Sequence, residues 1–218
     1  MKSYEIEMNN VLKALNKSGA LSYCVISGSW AMYFYKYIFD NFIPRVETTD
    51  LDIFLPNPKK ASSNGLVDEL SKLKYIKNTD FVSGKTMFLS DSGFSMEFLT
   101  IPNRTMSNTI NVPGLSVVAE ALPKMAPAGW NIIQLKYNDM LVNVVSPVSF
   151  VLQKLLIHNE RKSEYKKEKD IDAVKYVFDF INVSQIYKKE LKEELEHYPK
   201  KWKRTIVQTA KNYNIELL

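Results

Sequence analysis

Cysteine is all but missing from this chain: Cys24 is the single one among 218 residues and sits in an apolar run. No disulfide framework can form within the chain, and zinc sites built on cysteine pairs are excluded. Histidine is nearly as scarce, and His158 and His197 lie far apart without a neighbouring cluster of ligands, which leaves a zinc centre or a histidine-based triad without support. Long apolar runs are absent too, none approaching the roughly 20 residues that span a bilayer. The first residues, Met1 to Glu7, place Glu5 and Glu7 where a secretory signal needs its apolar stretch. The expectation is a soluble, cytoplasmic protein in a reducing compartment, with no membrane partner. No internal repeat or low-complexity segment interrupts the sequence.

What is present is enough for a real core, since 45% of the residues are hydrophobic and 12% aromatic. The net charge of +5 permits an anionic partner such as a nucleotide or RNA without demanding one.

The pattern along the chain predicts a helix over Tyr4 to Lys17, ended by Gly19, and a short strand over Leu21 to Ile26. A tight turn at Gly28-Ser29 leads to an aromatic-rich helix over Trp30 to Phe39, in which core packing is the expected role of the rings. Asn41 to Thr49 reads as a loop, and Asp50 to Leu55 as a half-buried strand stopped by Pro56. A helix at Leu66 to Leu73 precedes two strands, Lys85 to Ser90 and Phe94 to Thr100, joined through Asp91-Ser92-Gly93. Four prolines between Ile101 and Trp130 obscure the pattern there, apart from a short strand at Leu115 to Val118. A second hairpin follows at Asn131 to Tyr137 and Leu141 to Val145. From Pro147 the pattern is helical, through Phe150, Leu152, Leu155 and Leu156, then Ile171 to Ile181, then the Lys/Glu-rich tail from Ser184 to Asn212.

The fold class expected is therefore α/β (α+β): a mixed sheet of five or so strands with flanking helices over residues 1–146, followed by a helical domain over 147–218. The cleft between the two is the expected position of the site.

The chemistry starts from alternation. Side chains on a strand point to opposite faces in turn, so Asp50 and Asp52 share one face while Leu51 and Ile53 enter the core. Two carboxylates held this way suit Mg²⁺ or Mn²⁺, and Mg²⁺ prefers one or two protein carboxylates plus substrate phosphates, which points to a nucleoside triphosphate. Glu97 is the acid inside the predicted strand Phe94 to Thr100 and is expected to help hold a second metal or to take a proton from the acceptor hydroxyl. Gly28 allows a sharp turn and a close backbone approach, while Ser29 offers a hydroxyl and an amide at the start of a helix. Together they make a phosphate cradle. Lys154 and Arg161 are seven residues apart, which on one continuous helix would place both cations on one face. The basic stretch Lys200, Lys201, Lys203 and Arg204 around Trp202 is read as a solvated helix face, because glutamates crowd it from the preceding segment.

Gly28-Ser29-Trp30-Ala31, Arg45 and Thr48-Thr49-Asp50-Leu51-Asp52 resemble the nucleotidyltransferase-like superfamily of the polymerase-β type. Phe150 to Leu156, Arg161 and Lys169-Asp170-Ile171-Asp172 are similar to the AbiEii-type toxin nucleotidyltransferases and their bacterial relatives. That resemblance implies metal on Asp50 and Asp52 and phosphate on Gly28 and Ser29. It also implies that Lys154, Lys169 and Asp170 complete the nucleotide site, where Arg45 and Arg161 are expected as further nucleotide contacts. Trp30 is bulkier than the residue usual after Gly-Ser and is expected to narrow the phosphate pocket. The implied reaction is metal-dependent transfer of a nucleoside monophosphate to an acceptor, with RNA favoured by the toxin likeness and a cognate antitoxin as partner. A protein hydroxyl, a small molecule, or a catalytically silent binding module are the alternatives.

Overall fold

The computed structural model describes residues 2–46, 48–103 and 107–217; Glu47, within the expected loop, lies outside them. Helix α1 (Lys2–Lys17) leads through a single 3-10 turn to the short strand β1 (Val25–Ile26). Gly28–Trp30 then forms another 3-10 turn that continues into α2 (Ala31–Phe34) and a last turn at Tyr35–Tyr37. Strand β2 (Asp50–Phe54) is followed by α3 (Leu66–Lys72), β3 (Ile76–Thr79), β4 (Thr86–Leu89), β5 (Ser95–Thr100), β6 (Thr109–Val112), β7 (Val117–Ala121), β8 (Ile132–Tyr137) and β9 (Met140–Val145). Four helices close the chain: α4 (Pro147–Ile157), α5 (Glu164–Val183), α6 (Gln185–His197) and α7 (Lys200–Asn212).

The strands form one mixed sheet of nine among the described residues, in the order β3-β4-β5-β2-β1-β9-β8, with β7 attached to β5 and β6 to β7. This is larger than the five strands expected. The strands not foreseen are β3, exposed along its whole length, and β6, exposed or half-buried along most of it. β3 lacks the apolar alternation that makes a strand readable, and β6 has it over only four residues, Thr-Ile-Asn-Val.

Two pairings decide where the chemistry sits. β1 runs antiparallel to β2, and β2 runs parallel to β5, placing Asp50 beside Ser95 and Asp52 beside Glu97. Along the other edge of β5, β4 covers Ser95 to Glu97 and β7 covers Leu99 and Thr100. Three strands therefore meet beside Glu97. The hairpin β8–β9 turns on Asn138 and Asp139, both at positive φ, the geometry that a two-residue hairpin loop requires and that these residue types tolerate.

Ser146 caps α4 by accepting a hydrogen bond from the Ser149 amide, with Pro147 in the first turn. From Pro147 to Leu156 every residue of α4 is buried, so this helix is the axis around which α5, α6 and α7 pack. Phe39, Phe42, Tyr176, Phe180 and Tyr187 form an aromatic cluster with centroid separations of 4.9 to 6.0 Å between neighbouring rings, fastening the segment after α2 onto α5 and α6. The rings of the aromatic run do pack into the core as expected: Trp30, Tyr33, Phe34 and Tyr35 are buried, and Tyr37 is half exposed. No helix among the described residues is long and apolar enough to cross a membrane.

Candidate active site

An open cleft of about 910 Å³ runs between the face of the sheet at β2 and β5 and the helices α4 and α5. Gly28, Ser29, Asp50, Asp52, Glu97, Lys154, Arg161, Lys169 and Asp170 all line it. The sheet contributes Asp50, Asp52 and Glu97 and the helical part Lys154, Arg161 and Lys169 with the single carboxylate Asp170, so an acidic wall faces a mainly basic one across a space large enough for a nucleotide-sized ligand.

Gly28 is fixed at φ +60°, and a Cβ built on it would lie 2.1 Å from Asp52 Oδ2 and 3.0 Å from Asp52 Cγ. Only glycine fits, both for its backbone conformation and for the carboxylate packed against it. Ser27 ties the turn to β2 from the other side, its amide and hydroxyl both donating to the Asp52 carbonyl at 3.0 and 3.1 Å. The phosphate cradle and the acidic strand are thus one unit. Trp30, expected to narrow the pocket, is instead 1% exposed and packs edge-on against Phe94. It is absent from the cleft lining, because the 3-10 turn rotates its side chain into the core.

Asp50 is exposed and accepts a hydrogen bond from Ser95 Oγ at 2.7 Å, while its amide donates to Thr48 Oγ1 at 3.2 Å. Asp52 sits deeper. Burial, reinforced by Glu97 and opposed by Lys154, pushes its carboxyl up to about 7. Two neighbouring carboxylates on one face, one of them crowded enough to resist ionisation, make a hard-oxygen donor set that a divalent cation would relieve. The donor set fits Mg²⁺ or Mn²⁺. Among the described residues no group of three or more His, Cys, Asp and Glu side chains forms a ready metal cage, so substrate oxygens would have to complete the coordination.

Glu97 lines the cleft in register with Asp52, but it is not alone: Lys85 Nζ stands 2.7 Å from Glu97 Oε2 and 2.7 Å from Glu120 Oε2. Glu120 was missed in the sequence. It belongs to β7, inside the stretch where prolines broke the pattern, and nothing local connects it to Lys85 or Glu97.

On the helical side, Lys154 is 5% exposed and forms a buried ion pair with Asp170, whose other oxygen accepts from Arg161 Nε at 2.8 Å. Burial works against ionisation of Asp170, yet the charges of Lys154 and Arg161 hold its carboxyl below the usual range; burial lowers Lys154 in turn, partly offset by Asp170. Lys154 and Arg161 were expected to share one continuous helix. They do not, for α4 ends at Ile157 and Arg161 is already extended. Their convergence comes from Asp170 on α5, an anchor that orients both. Lys169 lines the same wall, and Lys166 and Tyr165 join it from the first turn of α5.

Arg45 does not reach the cleft. Its guanidinium lies 3.9 Å from the centroid of the Tyr176 ring, and the Tyr176 hydroxyl donates to the Ile43 carbonyl at 3.0 Å while accepting from the Ile43 amide. A cation–π contact holds Arg45 instead, because Phe42, three residues earlier, is pinned into the aromatic cluster and directs the following residues onto α5.

A mixed sheet presenting a Gly-Ser turn beneath paired aspartates, faced by a helical arm of cations, defines a nucleotidyltransferase. The chain belongs to that family: residues 7–200 match the family model described as nucleotidyltransferase. A comparison with curated protein sequences gives no match. Among solved structures, the antibiotic-resistance factor ANT(2'')-Ia in solution is similar with a TM-score of 0.52 and 9% identity, covering 98% of this chain and 95% of that one. The same factor in complex with adenylyl-2''-tobramycin gives 0.52 and 10%, covering 98% and 99%. An antigenic nucleotidyltransferase-like protein from Paracoccidioides brasiliensis gives 0.50 and 15%, covering 88% and 80%. Identities this low speak for a common fold.

Proposed function

We propose that this enzyme transfers a nucleoside monophosphate from a nucleoside triphosphate to a hydroxyl of a small-molecule acceptor. The observation that carries the proposal is Asp52 packed against the Gly28-Ser29 turn with Asp50 beside it on β2, facing Lys154, Arg161 and Lys169 across one cleft. The fold shared with ANT(2'')-Ia, whose complex holds an adenylylated antibiotic, supports a small acceptor over a polymer.

Asp50 and Asp52 are the residues that would hold Mg²⁺ or Mn²⁺, which when bound polarises the α-phosphate and screens the triphosphate charge. Ser29 and the Gly28 backbone receive the phosphates without steric hindrance. Glu97 orients the acceptor hydroxyl and accepts its proton as the acceptor oxygen bonds to the α-phosphorus. The bond from that phosphorus to the bridging oxygen breaks, and pyrophosphate leaves with its charge offset by Lys154, Arg161 and Lys169. Asp170 acts through the two cations it orients. On this reading residues 1–146 would bind metal and phosphate, while the helical part from 147, which starts at the Ser146 cap of α4, would close the other wall.

Transfer of label from each α-labelled nucleoside triphosphate, with Mg²⁺ or Mn²⁺, onto a pool of hydroxyl-bearing small molecules, onto total RNA and onto protein extract tests this, with Asp52→Ala as control. Label on small molecules that disappears in the variant is the expected result. Label on RNA would move the assignment to the AbiEii-type toxin reading, with an antitoxin partner, and label on protein to protein modification. Nucleotide binding without transfer to any acceptor would leave a silent binding module, and no nucleotide binding at all would refute the catalytic reading.

A further inference from the structure

The edge of β5 is shared by two strands: β4 pairs with it as far as Glu97, and β7 takes over at Leu99. The amide of Val118 donates to Thr86 Oγ1 at 2.9 Å across the junction, so the two partner strands are themselves tied together. Lys85 lies immediately before β4, Glu97 in the middle of β5 and Glu120 near the end of β7. Their side chains are 19%, 21% and 30% exposed, and one ammonium sits 2.7 Å from an oxygen of each carboxylate. Both glutamates line the cleft.

We propose that the Lys85 ammonium stands in for a second divalent cation at Glu97, so that the site takes its metal through Asp50 and Asp52 alone, while Glu120 holds Lys85 in place. This rests on the metal-dependent nucleotidyltransferase reading above. The physical case is one of competition. Lys85 is tethered, since it directly precedes β4 and its carbonyl accepts from the Asp80 amide at 2.9 Å, and its ammonium is already desolvated against two carboxylates. A divalent ion entering from water must shed tightly held waters and displace an ammonium that stays within the site. One ammonium between two carboxylates leaves a net negative charge at the acceptor side, which suits a group that orients a hydroxyl. Glu120 has a reason to be there on this account: without it Lys85 would have Glu97 as its sole carboxylate and would hold it less firmly.

The test counts Mn²⁺ bound to the full chain by the loss of the free-ion electron paramagnetic resonance signal, in the presence of a nucleoside triphosphate whose α,β-bridging oxygen is replaced by methylene. Wild type is expected to bind one Mn²⁺ per chain and Lys85→Met two, the additional ion vanishing in Lys85→Met/Glu97→Gln. Glu97→Gln alone is expected to keep the single ion, which tests the idea even where Lys85→Met fails to fold; Lys85→Gln provides a polar alternative. Two ions in wild type, or a single ion in a folded Lys85→Met, would overturn the proposal while leaving the nucleotidyltransferase reading in place. No Mn²⁺ bound with the nucleotide in wild type would overturn both.

Discussion

Gly28→Ala probes the contact on which the site is built. At φ +60° an alanine costs about 1–2 kcal/mol in backbone strain. The added methyl would lie 2.1 Å from Asp52 Oδ2, a distance no real pair of atoms maintains, and 3.0 Å from Cγ. Rotating the carboxylate relieves the first overlap, but the second persists, and overpacking of this kind costs about 1–3 kcal/mol. The total, about 2–5 kcal/mol, is separable by a double-mutant cycle in urea unfolding. In an Asp52→Ala background the carboxylate is gone and the nearest remaining Asp52 atom, Cβ, is 3.2 Å away, so Gly28→Ala should there cost only the backbone part. A coupling of about 1–3 kcal/mol is expected. Equal costs in the two backgrounds would show that Gly28 and Asp52 are not in the contact described, and the account of the site as one turn-and-strand unit would fail. Catalysis gives an independent reading: displacing Asp52 by about 1 Å should slow label transfer on the order of 100-fold.

Glu194 is buried with no cation paired to it among the described residues and accepts hydrogen bonds from Asn131 at 2.6 Å and Ser149 at 2.8 Å, and burial pushes its carboxyl from 4.5 up to about 7. The folded state therefore holds a proton that the unfolded chain has released. The stability this contributes is full below pH 4.5 and is lost as pH rises through about 7, by roughly 3 kcal/mol at most; denaturation of wild type and Glu194→Gln across that range should show the loss in the former and its flattening in the latter, and parallel profiles would refute it. Arg45→Ala should leave nucleotide affinity unchanged and cost under about 1 kcal/mol through the lost contact with Tyr176, whereas Arg161→Ala should weaken it; calorimetric titration with a nucleoside triphosphate separates the two, and a large effect at Arg45 would return that residue to the site.

Much of the site was legible because its sheet half is local. Gly28-Ser29 needs a strand before it and a turn after it, and Asp50 and Asp52 need only the two-residue period of a strand to share a face. Both are properties of short segments. Glu97 was readable as an acid inside an apolar strand, yet its ion pair with Lys85 and the presence of Glu120 were not. Those depend on β4 and β7 meeting along one edge of β5, and β7 joins residues separated by a poorly patterned, proline-interrupted stretch. The helical half shows the reverse error. Spacing suggested that Lys154 and Arg161 cooperate through one helix, and they do converge, but the helix stops between them and Asp170 supplies the link.

The sequence alone thus determined the elements whose periodicity is complete within a few residues, the order of sheet before helices, and the paired acids beyond a Gly-Ser turn, because backbone geometry translates local pattern directly into local direction. Strand order, the attachment of β7, the diversion of Arg45 onto Tyr176 and the burial that raises Asp52 were decided by tertiary structure. Each depends on surfaces brought together from distant parts of the chain, where packing and desolvation outweigh any local preference.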